Sequence, residues 1–187
     1  LSYLISKDIH QFRNQIISIS GEDASKCIQC GKCSAGCPVS PEMDIQPNQV
    51  LRFIQVNDPE PLLKCKTIWI CASCQTCSVR CPEEIEIAKI MDSLRKLSLE
   101  SQAPSGEERV VKFDKLFLDS IQKRGRVHEL ELVMRYNLTT LQPFKDAHLG
   151  PLMLSRGKLS FLGHKIKGLD QIKRIFKESK RFLRSLE

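Results

Sequence analysis

The chain has 187 residues, 41% of them apolar, which is enough to bury the core of one ordinary domain or of a compact domain with an appended one. Its 29 basic and 22 acidic side chains give a formal charge of +7, and it carries nine cysteines. No run of about 18 apolar residues occurs, so the pattern excludes an integral membrane segment.

The opening stretch LSYLISKDIHQFRNQIISIS is interrupted by Lys7, Asp8, His10 and Arg13, which fits neither a signal peptide nor a spanning helix. A cytoplasmic location is expected. The chain opens on Leu1 rather than Met, so residues upstream are to be reckoned with. In such a setting the thiols are expected to be reduced and open to metal rather than tied into a disulfide framework.

The first cysteine motif, CIQCGKCSAGCP over residues 27–38, has the pattern C-x2-C-x2-C-x3-C-P. Three cysteines at three-residue intervals can wrap one face of a 4Fe-4S cubane, each thiolate taking one iron, while the fourth is carried past to a second cluster. Pro38 fixes φ and has no N–H, which suits a chain leaving the cluster at a defined angle. Gly31 and Gly36 are expected to let the backbone approach the inorganic sulfurs, where amide N–H groups raise the potential.

The segment that follows has no period-two alternation and reads as helices. Pro47 starts one with an apolar face of Val50, Leu51, Phe53 and Ile54, which Asp58-Pro59 stops; Leu62 and Leu63 open a second, short helix after Pro61. Cys65 lies outside the cysteine pattern and reads as a small buried thiol under the second cluster. Trp69 is expected to pack against the cluster pocket, and Lys32, Lys66 and Arg80 read as solvated charges beside ligands.

The second motif, CASCQTCSVRCP over residues 71–82, repeats the first without a change of spacing. Crossed ligation then assigns Cys27, Cys30, Cys33 and Cys81 to one cluster, and Cys71, Cys74, Cys77 and Cys37 to the other. Zinc is the weaker reading. It leaves half of these eight cysteines without a role, or needs two ribbons that lack the usual spacer.

After Pro82 the stretch EEIEIAKIMDSLRKLSLES places Ile85, Ala88, Met91 or Asp92, Leu94 or Arg95, and Leu97 or Ser98 at helical intervals, with acids first and basic residues late. A loop at residues 102–106 separates this from a second helical region. Ser105 and Glu108 form a capping box for a helix with a stripe of Val110, Phe113, Phe117 and Ile121 that ends at Gly125, and a further helix is expected from about Val127 to Tyr136. The predicted fold is all-α: an α-helical ferredoxin domain with two 4Fe-4S clusters over residues 1–101, a helical extension over 102–155, and a basic amphipathic tail over 156–187.

Residues 1–155 hold 19 basic and 19 acidic side chains, whereas 156–187 hold 10 and 3, so the whole excess sits in the tail. Two oxidised cubanes with four thiolates each carry −2 apiece, which lowers the net charge to about +3 and weakens any nucleic-acid reading. In the tail Leu169, Ile172, Phe176, Leu183 and Leu186 follow a three-then-four spacing, with Ser179 at one seam position, behind a stretch loosened by Gly157, Gly163 and Gly168. Such a basic amphipathic helix is expected to dock on a protein, with a membrane surface second and nucleic acid last.

No G-x-G-x-x-G or G-x-x-x-x-G-K-[ST] motif is present, so no flavin, nicotinamide or nucleotide site can be argued, and no two cysteines are adjacent. His10, His128, His148 and His164 are scattered without ligand spacing. A chain with two electron carriers and no substrate chemistry needs its donor and acceptor on other subunits.

The paired motifs with a helical segment between them resemble the helical ferredoxin module of succinate dehydrogenase, anaerobic glycerol-3-phosphate dehydrogenase and heterodisulfide reductase. Within that group the W-x-C lead-in from Trp69 to Cys71, and the F-x3-F and G-R-V-x-E-L elements between Phe113 and Tyr136, resemble the C-type iron–sulfur subunits of heterodisulfide reductase from methanogenic archaea. The resemblance covers roughly residues 20–140. It implies a relay in which a flavin-containing A-type subunit delivers electrons and a catalytic B-type subunit, holding the adjacent-cysteine motifs absent here, reduces the mixed disulfide of coenzyme M and coenzyme B. It also admits a hydrogenase or formate dehydrogenase in a larger assembly. The alternative is the iron–sulfur subunit of a membrane-associated respiratory dehydrogenase of the glycerol-3-phosphate or succinate type. A structural cluster in a nucleic-acid-binding protein ranks last, because two cross-ligated clusters exceed what a staple needs.

Overall fold

A computed structural model describes residues 11–101, 107–142, 150–157 and 166–184. Among the described residues there are helices, turns and no strand, an all-α architecture. The chain divides into two compact units at Glu108/Arg109.

The first unit contains α1 (Gln11–Ser20), α2 (Lys32–Ala35), α3 (Pro47–Gln55), α4 (Pro59–Lys64), α5 (Thr67–Ile70), α6 (Thr76–Val79) and α7 (Ile87–Glu100). Its axis is α7, which packs against α1, α4, α5 and α6. The spacing of Ile87, Ala88, Ile90, Met91 and Leu94 gives α7 a broad apolar face, and all five are buried, with Phe12 and Ile16 of α1 and Leu62 and Leu63 of α4 also in the core. Each fully buried Ile or Leu contributes about 1.5–3 kcal/mol relative to exposure, so this face holds the unit together.

Local chemistry sets the ends of these helices. Pro47 opens α3, and Gln49 Oε1 accepts the Gln46 N–H at 2.8 Å. The helix closes at Asn57, which takes φ +57 and lets Asp58 N donate to the Phe53 carbonyl at 2.9 Å. α4 begins at Pro59, one turn earlier than the Leu62–Leu63 pair alone indicates, because Asp58-Pro59 opens a helix as well as ending one. α7 begins at Ile87 rather than at Glu83, because Glu84 is left-handed, φ +54, and breaks the run after Pro82. The start of α7 is tied to the end of α1: Glu22 Oε2 accepts the Glu86 N–H at 3.1 Å.

The second unit contains α8 (Glu108–Arg124), α9 (Glu129–Thr139), α10 (Gly150–Ser155) and α11 (Leu169–Arg184). Ser105 of the expected capping box lies outside the described residues. The buried positions of α8 are Leu116 and Ser120, whereas Phe113 of the expected stripe is 40% exposed and instead meets Phe117 and Tyr136 with ring centroids 6.1 and 5.7 Å away. The face shifts because Ser120 Oγ accepts the His128 N–H at 3.1 Å, while His128 Nδ1 accepts the Glu131 N–H and caps α9. That cap places α9 two to three residues later than expected.

Gly125 ends α8 with φ +78, and a Cβ there falls 2.2 Å from Ile166 Cγ1. The chain returns at that point, with Ile166 N donating to the Arg124 carbonyl at 3.1 Å. In α11, Leu169, Ile172 and Phe176 are half-buried, while Lys173, Arg174, Lys177 and Arg181 are exposed. The side chain of Leu183, together with Gly163 and Leu186, lies outside the described residues, as do His10, His148 and His164. Among the described residues no helix is long and apolar enough to cross a membrane.

Candidate metal centre

The two cysteine motifs fold alike. The residue two places after the first cysteine is left-handed in both, Gln29 with φ +57 and Ser73 with φ +50, and so is the residue four places after it, Gly31 with φ +76 and Gln75 with φ +63. These two reversals fold the chain back on itself and lead into the one-turn helices α2 and α6. Each helix ends the same way, with Cys37 N donating to the Ser34 carbonyl and Cys81 N to the Ser78 carbonyl, both at 3.2 Å. Glycine is the easy residue for such a turn; Gln75 holds it against the steric cost of its own Cβ.

The eight cysteines of the motifs surround two cavities. One of about 310 Å³ is lined by Cys27, Cys30, Cys33 and Cys81, with Ile28, Gly31, Lys32, Asn48, Leu51, Pro82, Glu83 and Ile87. The other, of about 380 Å³, is lined by Cys37, Cys71, Cys74 and Cys77, with Val39, Met43, Pro47, Ala72, Ser73, Thr76, Ile87, Ala88 and Met91. Cys37 therefore sits with the second motif and Cys81 with the first. Ile87, 1% exposed, stands in both walls and is the partition between them.

The thiols ring a space rather than converge on a point: among the described residues no three His, Cys, Asp or Glu side chains gather as a single ion needs. Four sulfurs around each space, with mostly apolar neighbours, fit the four thiolates that a cubane takes. Cys33 is buried, Cys30 and Cys74 are exposed, and the other five are half-buried. Burial pushes the Cys33 and Cys77 thiols up, and the following serine hydroxyls, Ser34 and Ser78, pull them partly back. Ser34 Oγ lies 4.0 Å from Cys33 Sγ, and Ser78 Oγ is buried beside Cys77. Cys74, by contrast, is held below the usual thiol value by the Thr76 hydroxyl 3.4 Å away and by the Thr76 N–H. In the first motif Cys27 Sγ accepts from the Gln29 N–H and side-chain amide, both at 3.4 Å.

Several residues that position this site carry no signal in the cysteine pattern. Gln55 Nε2 donates to the Ala24 and Cys27 carbonyls, and Arg95 donates to the Ile68 and Cys71 carbonyls from Nε and Nη2. Asp44 caps α5, accepting the N–H groups of Lys66 and Thr67 and the Thr67 hydroxyl at 2.7–3.0 Å. Partial burial raises its carboxyl, but these hydrogen bonds outweigh that and hold it below the usual aspartate value. The reason for Gly36 also differs from the expected one. Its φ is an ordinary −99, and the space of a Cβ is taken by the exposed side chain of Arg80, whose Nη1 lies 2.6 Å from that position.

Cys65 lines neither cavity. It is 4% exposed, its thiol donates to the Leu62 carbonyl at 3.1 Å, and burial pushes it up to about 11. Trp69 is likewise buried behind the second motif without lining the cavity, its Nε1 unpartnered.

Two four-thiol cavities side by side on helices define a dicluster iron–sulfur protein. The family model described as a 4Fe-4S dicluster domain matches residues 26–86, and the chain binds two 4Fe-4S clusters. Over 74 residues it is 35% identical to the C-type subunit of a ferredoxin:CoB-CoM heterodisulfide reductase of Methanosarcina acetivorans, covering 40% of this chain and 30% of that one. Over 95 residues it is 33% identical to a C-type iron-sulfur subunit of the CoB–CoM heterodisulfide reductase of Methanocaldococcus jannaschii, covering 46% and 50% of the two chains. It is 27% identical over 85 residues to the C-type subunit of an H(2):CoB-CoM heterodisulfide,ferredoxin reductase of Methanothermobacter marburgensis, covering 46% of each. The chain thus spans half or less of the length of these relatives.

Proposed function

We propose that this chain is the electron-relay subunit of a heterodisulfide reductase, taking electrons from a flavin-containing A-type partner and passing them to a catalytic B-type partner that reduces the CoM-S-S-CoB heterodisulfide. The observation that carries the reading is the pair of adjacent four-cysteine cavities, each completed by the last cysteine of the other motif. Three relatives named as C-type subunits of such reductases add support. In this reading Cys27, Cys30, Cys33 and Cys81 hold one cluster, and Cys71, Cys74, Cys77 and Cys37 hold the other. Each bound cluster supplies one-electron redox chemistry, and the chain carries no substrate chemistry of its own.

The protein's part is positional. Ile87, Leu51, Met43 and Met91 keep water from the inner walls, and Gln55 and Arg95 hold the first cysteine of each motif in place. The exposed Cys30 and Cys74 bring one edge of each cavity to the surface, where partner subunits can approach. The unit that ends at Glu108 is the cluster domain, and α11 belongs to the tail that docks on a partner.

Purification of the native assembly tests this. A flavoprotein and a second protein with adjacent-cysteine motifs are expected to accompany the chain, and a quinone-reactive membrane partner in their place overturns the reading. The basic face of α11 favours a second reading, the iron–sulfur subunit of a membrane-associated dehydrogenase. Sedimentation of the assembly with membranes is its signature, and a fully soluble assembly refutes it.

A further inference from the structure

Each cysteine motif is held by one clamp, and the two clamps occupy equivalent places. Gln55, at the end of α3, donates from Nε2 to the Cys27 carbonyl at 2.8 Å and to the carbonyl three residues earlier, that of Ala24, at 3.1 Å. Arg95, in α7, donates from Nη2 to the Cys71 carbonyl at 2.6 Å and from Nε to the carbonyl three residues earlier, that of Ile68. The same two carbonyls of the repeated motif are bound each time. Only the charge of the clamp differs.

One difference runs the other way, since Cys27 Sγ accepts two N–H bonds from Gln29 at 3.4 Å, but these are long neutral bonds and weaker than a full charge. Arg95 is 23% exposed and fixed by its carbonyl partners and by Ser73 Oγ at 3.4 Å, while Asp92, its ion-pair partner at 2.6 Å, is 61% exposed and so more strongly screened by water. Among the described residues no charged side chain lines the cavity of Cys37, Cys71, Cys74 and Cys77. The other cavity is lined by two exposed charges of opposite sign, Lys32 and Glu83, which offset one another.

We propose that Arg95 sets the redox order of the two centres, raising the potential of the cluster in the Cys37, Cys71, Cys74 and Cys77 cavity above that of the cluster whose motif is clamped by neutral Gln55. This rests on the ligand sets proposed above. Reduction adds one negative charge to a cluster, and a fixed positive charge beside it favours the reduced state. A single electron shared between the centres therefore rests in the second cavity, and flow through the chain runs downhill from the Cys30 edge to the Cys74 edge.

EPR-monitored redox titration of the cluster-loaded chain tests the order, with Cys30→Ala and Cys74→Ala assigning the two signals. Arg95→Gln is expected to lower the potential of the Cys74-assigned signal, moving the division of one electron between the centres by about tenfold, equivalent to ~59 mV for a one-electron couple. The Cys30-assigned signal stays where it is. Gln55→Arg is expected to raise the Cys30-assigned potential and narrow the gap, and it keeps the proposal testable if Arg95→Gln loads iron poorly. A wild-type order opposite to this one, or a Gln55→Arg chain with unchanged potentials, overturns the role of Arg95. If Cys30→Ala and Cys74→Ala remove the same signal, the ligand sets themselves are wrong and the proposal falls with them.

Discussion

Replacement of Cys37 separates crossed ligation from the simpler arrangement in which each motif serves its own cluster. In the chain Cys37 belongs to the first motif, but its side chain lines the cavity of Cys71, Cys74 and Cys77, while Cys27, Cys30 and Cys33 line the other with Cys81. Cys37→Ala leaves three of four thiolates in the second cavity and all four in the first. The expected result is loss of the second cluster alone, so iron and sulfide per chain fall to half. Binding of a cluster is also folding free energy for the elements around it. Without that contribution the variant is expected to melt at a lower temperature than the parent. Cys81→Ala mirrors it, removing the first cluster. Anaerobic iron counting with EPR reads the outcome. A Cys37→Ala chain that keeps the signal abolished by Cys74→Ala, and loses the one abolished by Cys30→Ala, refutes crossed ligation.

Two further tests address the scaffold. Cys65 is 4% exposed, and its thiol ionises at about 11 in the folded chain against 9.0 as the ordinary value. Because the folded value is the higher one, its contribution is fully present below pH 9 and is lost as pH rises from there through 11, about 3 kcal/mol in all. Urea unfolding followed by the fluorescence of Trp69, the only tryptophan, should show a steeper decline in the parent than in Cys65→Ala; an equal decline in both contradicts it. Gly36→Val is expected to push aside the exposed Arg80 side chain, whose atoms lie 2.6–2.9 Å from its Cβ, at a cost of roughly 0.5 kcal/mol that vanishes in an Arg80→Ala chain. Strictly additive effects on the melting temperature exclude that contact.

How much of this was legible in the sequence depends on whether a feature is set by local or by long-range contact. The helical character of residues 47–64, the end of α8 at Gly125 and the buried thiol of Cys65 follow from proline, glycine and apolar spacing acting within a turn or two. The clamps do not. Gln55 stands 28 residues from Cys27 and Arg95 stands 24 from Cys71, and nothing in either interval marks them, because their partners are decided by where α3 and α7 pass the motifs. A half-buried arginine next to Leu94 on the face of a core helix is the one local hint. Phe113 misled for a similar reason: the aromatic residues outweigh Leu116 and Ser120 in a periodicity reading, yet the Ser120–His128 hydrogen bond decides which face of α8 turns inward. Gly36 carried the opposite difficulty, since a glycine beside a cysteine invites a backbone explanation while the occupant of its space is a side chain of the other motif.

The near-identity of the two motifs sharpens what the differences between them can mean. The same left-handed positions, the same terminal hydrogen bond and the same clamped carbonyls surround both cavities, so the shared framework alone assigns neither centre a higher potential. Directed transfer, however, needs a gradient. That gradient has to come from the positions where the repeat is broken, chief among them Gln55 against Arg95, since Lys32 and Glu83 in the first cavity offset one another. Ile87 works the other way, as the one side chain among the described residues that stands, buried, in both walls. A shared wall and a difference in charge are thus supplied by different residues of the same helix, Ile87 at its first turn and Arg95 two turns further on, which makes α7 the element that both joins the centres and tells them apart.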